Sequence, residues 1–261
     1  MKIMFKKNVF LIGVCMSVIV FSHCQAQAMS AAEARAVFLD GNQLYKEGKF
    51  QEALARYKSI YDQGLLSGHL LYNLGNCYCK MGQYGQALVY YEKARFLIPY
   101  DSDLKANLVY TRSLLHNPEQ FLSQNLFKRF THKVFEGLSI DALLLLLVFA
   151  YWMAMLVGII ATKRRLPVFL IFIAVFLLLL LVIGMSVVMD KIAFHRHGAI
   201  IIERNADVKF EPLASATTYF QLPEGSACLV LEQEGRWRKI KRSDNKTGWL
   251  PADSLQVLAD E

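Results

Sequence analysis

Asn42 and Asn76 stand 34 positions apart, and Asn73 comes almost one helical turn before Asn76. A primary amide both donates and accepts hydrogen bonds, which suits an extended peptide backbone or a carboxylate terminus. Lys80, four residues past Asn76, would place a positive charge at the edge of such a site. Asn42, Asn73, Asn76 and Lys80 are therefore the candidate partner-binding residues. The plainer role, amides that bind water or cap neighbouring helices, stays open. Other reactive types do not assemble. There is no Ser/His/Asp spacing, phosphate loop or dinucleotide fingerprint. His195-Arg196-His197 has no carboxylate or cysteine nearby, so it reads as interfacial histidines and no metal is expected. Cys77 and Cys79 lie two apart, which on a helix turns them to nearly opposite faces. Asp40, Glu47, Glu52 and Glu92 read as helix-surface acids without a cleft between them. The chain is expected to be neither an enzyme nor a cofactor carrier.

The elements that must hold these amides follow from a repeat. Gly41, Gly48, Ala53 and Tyr57 recur 34 positions later as Gly75, Gly82, Ala87 and Tyr91. That period, with Leu71, Leu74, Tyr78, Ala94 and Pro99 in the second copy, resembles the tetratricopeptide (TPR) pattern of paired helices. Gly75 and Ala87 would let two helices approach, with Tyr78 and Tyr91 filling the remaining space. Gly82 would end the first helix and Pro99 stop the second. The expected repeat domain is 29–118, with repeats at about 34–67 and 68–101. A capping helix, 102–115, would use Leu104, Leu108 and Leu115 as its apolar stripe. Such arrays bind partners on a concave surface.

A hydrophobic content of 54% exceeds that of an ordinary soluble chain. Residues 1–28 combine Lys2, Lys6 and Lys7, an apolar run and Ala26-Gln27-Ala28, the pattern of a signal peptide. Residues 139–161 and 166–189 are each long and apolar enough to cross a bilayer as a helix. Thr162-Lys163-Arg164-Arg165 between them reads as a tight turn, so the two spans form a transmembrane hairpin. The positive-inside rule puts this basic turn in the cytoplasm and both flanking domains outside it. Residues 119–138 alternate Phe127, Phe130, Val134 and Phe135 with Lys128, Arg129 and Lys133, which suits an amphipathic linker on the membrane or a plain linker helix. Much of the net charge of +7 lies at such borders, which favours lipid headgroups as partners. With no basic-aromatic platform, nucleic acid is not expected.

From about residue 195 to 259 the composition turns to short β-type runs: Ile200 to Ile202, Ala227 to Leu231 and Trp237 to Lys241. Glu234-Gly235-Arg236-Trp237-Arg238-Lys239-Ile240, then Lys246-Thr247-Gly248-Trp249-Leu250, resembles bacterial SH3-like domains, which implies an all-β barrel. Trp249 is expected in its core. Trp237, Arg236, Arg238 and Lys239 are the candidate surface, either a solvated edge or a patch for an acidic partner or anionic envelope polymer.

The expected fold class is thus a multidomain membrane protein: an all-α TPR domain, a two-helix transmembrane hairpin and a C-terminal all-β SH3-like barrel. This order, with Leu104 to Ser113 after the repeats, resembles the BatE proteins of the Bacteroides aerotolerance (Bat) operons. The resemblance implies an inner-membrane scaffold or adaptor acting with other Bat-type or von Willebrand factor A domain membrane proteins, beside a MoxR-type ATPase. It further implies a link to oxygen or stress tolerance. The alternative is an envelope sensor that binds cell-wall polymer or peptides through its SH3-like domain.

Overall fold

The computed structural model describes residues 29–115, 138–164 and 168–259. The expected signal peptide, residues 119–137 of the linker and Arg165 of the basic turn lie outside the described residues.

Five helices open the described chain: α1 Ala31–Lys46, α2 Phe50–Tyr61, α3 Gly68–Lys80, α4 Tyr84–Leu97 and α5 Ser102–Leu114. Their ends follow local chemistry. The Ser30 hydroxyl accepts from the Glu33 amide at 3.2 Å, Ser67 from Leu70 at 3.2 Å, and the Asp101 carboxylate from Leu104 at 2.8 Å. Gly48 and Gly82 follow α1 and α3 with φ +76°, a left-handed turn that favours glycine. There Lys49 N donates to Leu44 O and Gln83 N to Tyr78 O, each at 3.0 Å, which satisfies carbonyls at the helix ends.

The helix pairs close on glycine and tyrosine. A Cβ on Gly41 would lie 2.7 Å from the Tyr57 ring, and one on Gly75 would lie 2.5 Å from the Tyr91 ring. Both rings are buried. Tyr78 does not share this contact as expected. It stacks on Tyr90, with ring centroids 5.2 Å apart. Helix α5 continues the array in register: Leu104, Leu108 and Thr111 are buried, 34 positions after Leu70, Leu74 and Cys77. It is thus the first helix of a third unit.

Helices α6 Ile140–Arg164 and α7 Val168–His197 form an antiparallel apolar pair. Leu147 packs on Gly184, and Lys191 Nζ donates to the Leu138 carbonyl at 2.6 Å. Two of these boundaries differ from the sequence expectation. Thr162, Lys163 and Arg164 continue α6 instead of turning, because none of them breaks a helix. Helix α7 runs past Met189 through Asp190 and Lys191 to His197, since charge ends an apolar stretch without ending a helix.

Strand β1, Gly198–Ile201, follows α7 with no intervening loop. It joins β2 Asn205–Lys209, β3 Thr218–Pro223, β4 Ala227–Glu234, β5 Trp237–Lys241, β6 Thr247–Pro251 and β7 Leu255–Val257. Among the described residues these make one antiparallel sheet in the order β3-β2-β6-β5-β4-β1-β7. Alternate residues converge on one core: Ala199, Ile201, Ala206, Val208, Leu222, Cys228, Ile240, Leu250 and Leu255. Gly248 is required there, because a Cβ would lie 2.4 Å from Val208 Cγ1.

The repeat unit and the sheet share a second core. Strand β1 is buried throughout. Ala199 and Ile201 enter the sheet core, while Ile200 and Leu258 join the core of the helical repeats. At the same seam the Gly85 amide donates to Glu224 Oε1 at 2.6 Å, and Gly225 leaves no room for a Cβ against Leu115. Phe96 of α4 meets the His195 ring at the end of α7, with centroids 4.2 Å apart. The Tyr100 hydroxyl donates to Ser139 Oγ at 3.0 Å, and that oxygen accepts from Ala142 N at the start of α6. Both flanking units therefore sit at one end of the helical hairpin.

Candidate functional site

Helices α1, α3 and α5 are the first helices of successive repeat units, and the candidate amides lie along them. The structure joins two of the four, Asn42 and Asn73, by a hydrogen bond and repeats the arrangement one unit later at Asn76. Asn42 Oδ1 accepts from the Tyr57 hydroxyl at 2.7 Å and from Asn73 Nδ2 at 3.1 Å. One repeat later, Asn76 Oδ1 accepts from the Tyr91 hydroxyl at 2.7 Å and from Asn107 Nδ2 at 2.9 Å. Asn107 Nδ2 also reaches the Tyr72 hydroxyl at 2.9 Å. Each unit is thus tied internally by a tyrosine and to its neighbour by an asparagine. At roughly 1 kcal/mol net per bond, this ladder stabilises the stacking of units that have no independent core.

Asn107 is the member that sequence reading left out. Its signal was present, since it follows Asn73 by the repeat period. Burial drives the Tyr57 and Tyr91 phenols far above their usual range, so both remain protonated donors. A carbonyl oxygen has two lone pairs, and both are taken at Asn42 and Asn76. Their acceptor side therefore serves the fold. What these amides retain for a ligand is the Nδ2 donor, which matches a carbonyl or carboxylate oxygen. Asn42, Asn73 and Asn76 are half-buried, and Lys80 is exposed at the last turn of α3.

Beside the ladder, Glu92 departs from its expected place on the helix surface. Its side chain is 3% exposed. It faces Arg112 of α5, which donates to Oε1, while Arg95 approaches Oε2 at 2.6 Å. The Arg95 contact is an ion pair without hydrogen-bond alignment. The acid is buried because α4 is covered by α3, α5 and β1, so it has almost no solvent-facing stripe. Cys77 is buried and its thiol is pushed up to about 12, which makes it a packing group at neutral pH.

On the sheet, Trp237 is not the surface residue expected. It is 9% exposed, because β5 is an interior strand and Glu234 and Pro251 flank it on both sides. Trp249 is half-buried instead of core, since Gly248 and Leu250 take the inward positions of β6. Lys239 lies 5.5 Å from the Trp249 ring centroid and pairs with Glu232 at 3.2 Å. Arg236 is exposed, and Arg238 is half-buried. A different group is open to solvent: Phe210, Leu213 and Tyr219, with Phe210 and Tyr219 centroids 4.4 Å apart.

No curated protein matches the chain. Residues 70–101 match the tetratricopeptide repeat family, which covers α3, α4 and the turn before α5.

Proposed function

We propose that this protein is a non-enzymatic, membrane-anchored adaptor whose repeat groove holds a segment of another protein. The observation that carries the reading is the pair Asn42 and Asn76, one repeat apart on α1 and α3, whose oxygens are satisfied internally and whose Nδ2 donors are left for a ligand. Two helices long and apolar enough to cross a membrane, Ile140–Ile159 and Val175–His197, supply the anchor. Because the repeats and the sheet share a core at one end of this hairpin, both belong on the same side of the membrane. The finer form of the proposal follows the resemblance to BatE proteins. The C-terminal sheet is an SH3-like barrel, residues 1–28 direct the chain across the inner membrane, and both units face outward. The partner is then a Bat-type or von Willebrand factor A domain membrane protein in an envelope complex linked to oxygen or stress tolerance.

Two measurements test this. A reporter active only outside the cytoplasm, fused after Glu261, is expected to be active, and one inserted between Lys163 and Arg164 silent. The reverse pattern overturns the placement of both units. Cross-linking in native membranes identifies the partner. Capture is then expected to fall at least tenfold in the Asn42→Ala/Asn76→Ala protein, provided its melting still shows a folded repeat unit. Undiminished capture by that folded variant removes the groove from the reading. A second reading, an envelope sensor, draws on the exposed Phe210, Leu213 and Tyr219. Co-sedimentation of the full chain with purified cell wall, abolished by Tyr219→Ala, would favour it.

A further inference from the structure

The outward face of α6 carries Val148, Tyr151, Trp152, Met155 and Ile159, all substantially exposed and spaced as one helical stripe. The adjoining side of α6 packs against α7, where Leu147 meets Gly184. Tyr151 is the twelfth residue of the apolar span Ile140–Ile159. At 1.5 Å per residue it lies roughly 17 Å along the helix, near the middle of a hydrocarbon core of about 30 Å. That position is unusual for these two side chains. Tyrosine and tryptophan belong at the headgroup borders, where the ring is apolar and the polar tip is wet. From mid-span neither tip reaches the border. Among the described residues neither the Tyr151 hydroxyl nor the Trp152 indole N–H has a hydrogen-bond partner. Their rings touch each other edge to face, with centroids 5.9 Å apart.

An unsatisfied donor in hydrocarbon is costly, so this face calls for a protein occupant. The chemistry of the pair points to which one. Indole donates and cannot accept, whereas a phenol hydroxyl does both. The two residues are adjacent in sequence and thus at nearly the same depth. Two copies of this chain necessarily enter the membrane with the same orientation, so their α6 helices meet in parallel. About a two-fold axis along the membrane normal, Trp152 of one copy then lies level with Tyr151 of its partner, and the reverse. We propose that this face is the contact between two copies of the protein, closed by two symmetric bonds in which each Trp152 indole donates to the other copy's Tyr151 hydroxyl.

The inference rests on the reading of α6 as a membrane span, and the experiment separates the two. The full chain is placed in phosphatidylcholine vesicles at two dye colours, and energy transfer is followed as the protein is diluted in lipid. Retention through an alkaline carbonate wash is measured in parallel. Dimeric transfer is expected for the unaltered protein. Tyr151→Phe keeps the ring and removes the hydroxyl, so association should weaken about tenfold as both symmetric bonds are lost. Trp152→Phe should weaken it similarly, and the double variant little further, because both residues serve the same bonds. Leu146→Ala, exposed on the side of α6 away from this stripe, should leave it unchanged. A washed, embedded but monomeric protein overturns the dimer, whether another protein's helix or the chain's own N-terminal apolar run covers this face. So does unchanged association in both phenylalanine variants. Loss of the protein in the wash instead overturns the membrane reading, and the dimer with it.

Discussion

Gly75→Leu is expected to unfold the helical repeats, seen as a lower melting midpoint and loss of helical ellipticity in the full chain. The Gly75 Cα sits against the Tyr91 ring, and even a single added carbon would lie 2.5 Å from two ring atoms. Replacing glycine inside a helix ordinarily gains up to about 1 kcal/mol. Here the ring cannot retreat, because its hydroxyl is fixed to Asn76 and its edge is buried. Overpacking of this kind costs about 1–3 kcal/mol, and leucine belongs at the upper end. Few stacked units share that loss, so little stability is held in reserve. Gly75→Ala should move in the same direction by less. A Gly75→Leu protein that melts like the unaltered one would show that Tyr91 is free to leave the contact.

Arg112→Leu should destabilise the protein by about 3 kcal/mol, because it strands a buried acid. Glu92 is nearly inaccessible, whereas the guanidinium groups of Arg95 and Arg112 keep 29% and 26% exposure. Losing either partner is therefore unequal. Without Arg112 the carboxylate keeps one poorly aligned cation, while without Glu92 each arginine still reaches water. Glu92→Leu should accordingly cost less than Arg112→Leu. The double variant, Glu92→Leu/Arg112→Leu, should recover most of the loss. The three denaturation midpoints decide this: a double variant no better than Arg112→Leu would mean that Arg112 acts through packing alone.

The repeat was readable because 34-residue spacing survives without knowledge of contacts. Gly75 announced close approach and Gly82 a helix end, and Gly41 and Gly48 stand at the same positions one repeat earlier. What the spacing could not say was where each ring goes. Tyr78 and Tyr91 both suit a gap beside a glycine, and only the stacked helices assign Tyr91 to Gly75 and Tyr78 to Tyr90. The tryptophans of the sheet show the same limit. Strand alternation sets which residues share a face, but the position of β5 inside the sheet is what covers Trp237. Asn107 went unread because no glycine or tyrosine accompanies it in a complete third repeat.

The amino-acid sequence by itself determined the repeat period, the helix caps, the two apolar helices and the existence of a β-rich end. Those properties depend on neighbours within a few residues or on bulk hydrophobicity, and both are local. Tertiary structure alone decided three things. It turned the donor-acceptor amides Asn42 and Asn76 into donors, by filling their oxygens from Tyr57, Tyr91 and the next repeat. It buried Glu92 by covering α4 on several sides. It joined the repeats to the sheet through β1, whose Ile200 and Ile201 point into two different cores. Each of these depends on groups distant in the chain meeting across a packed surface. A run such as Gly198-Ala199-Ile200-Ile201 reads as a strand in any context, but what lies on its second face is set by the element that docks there.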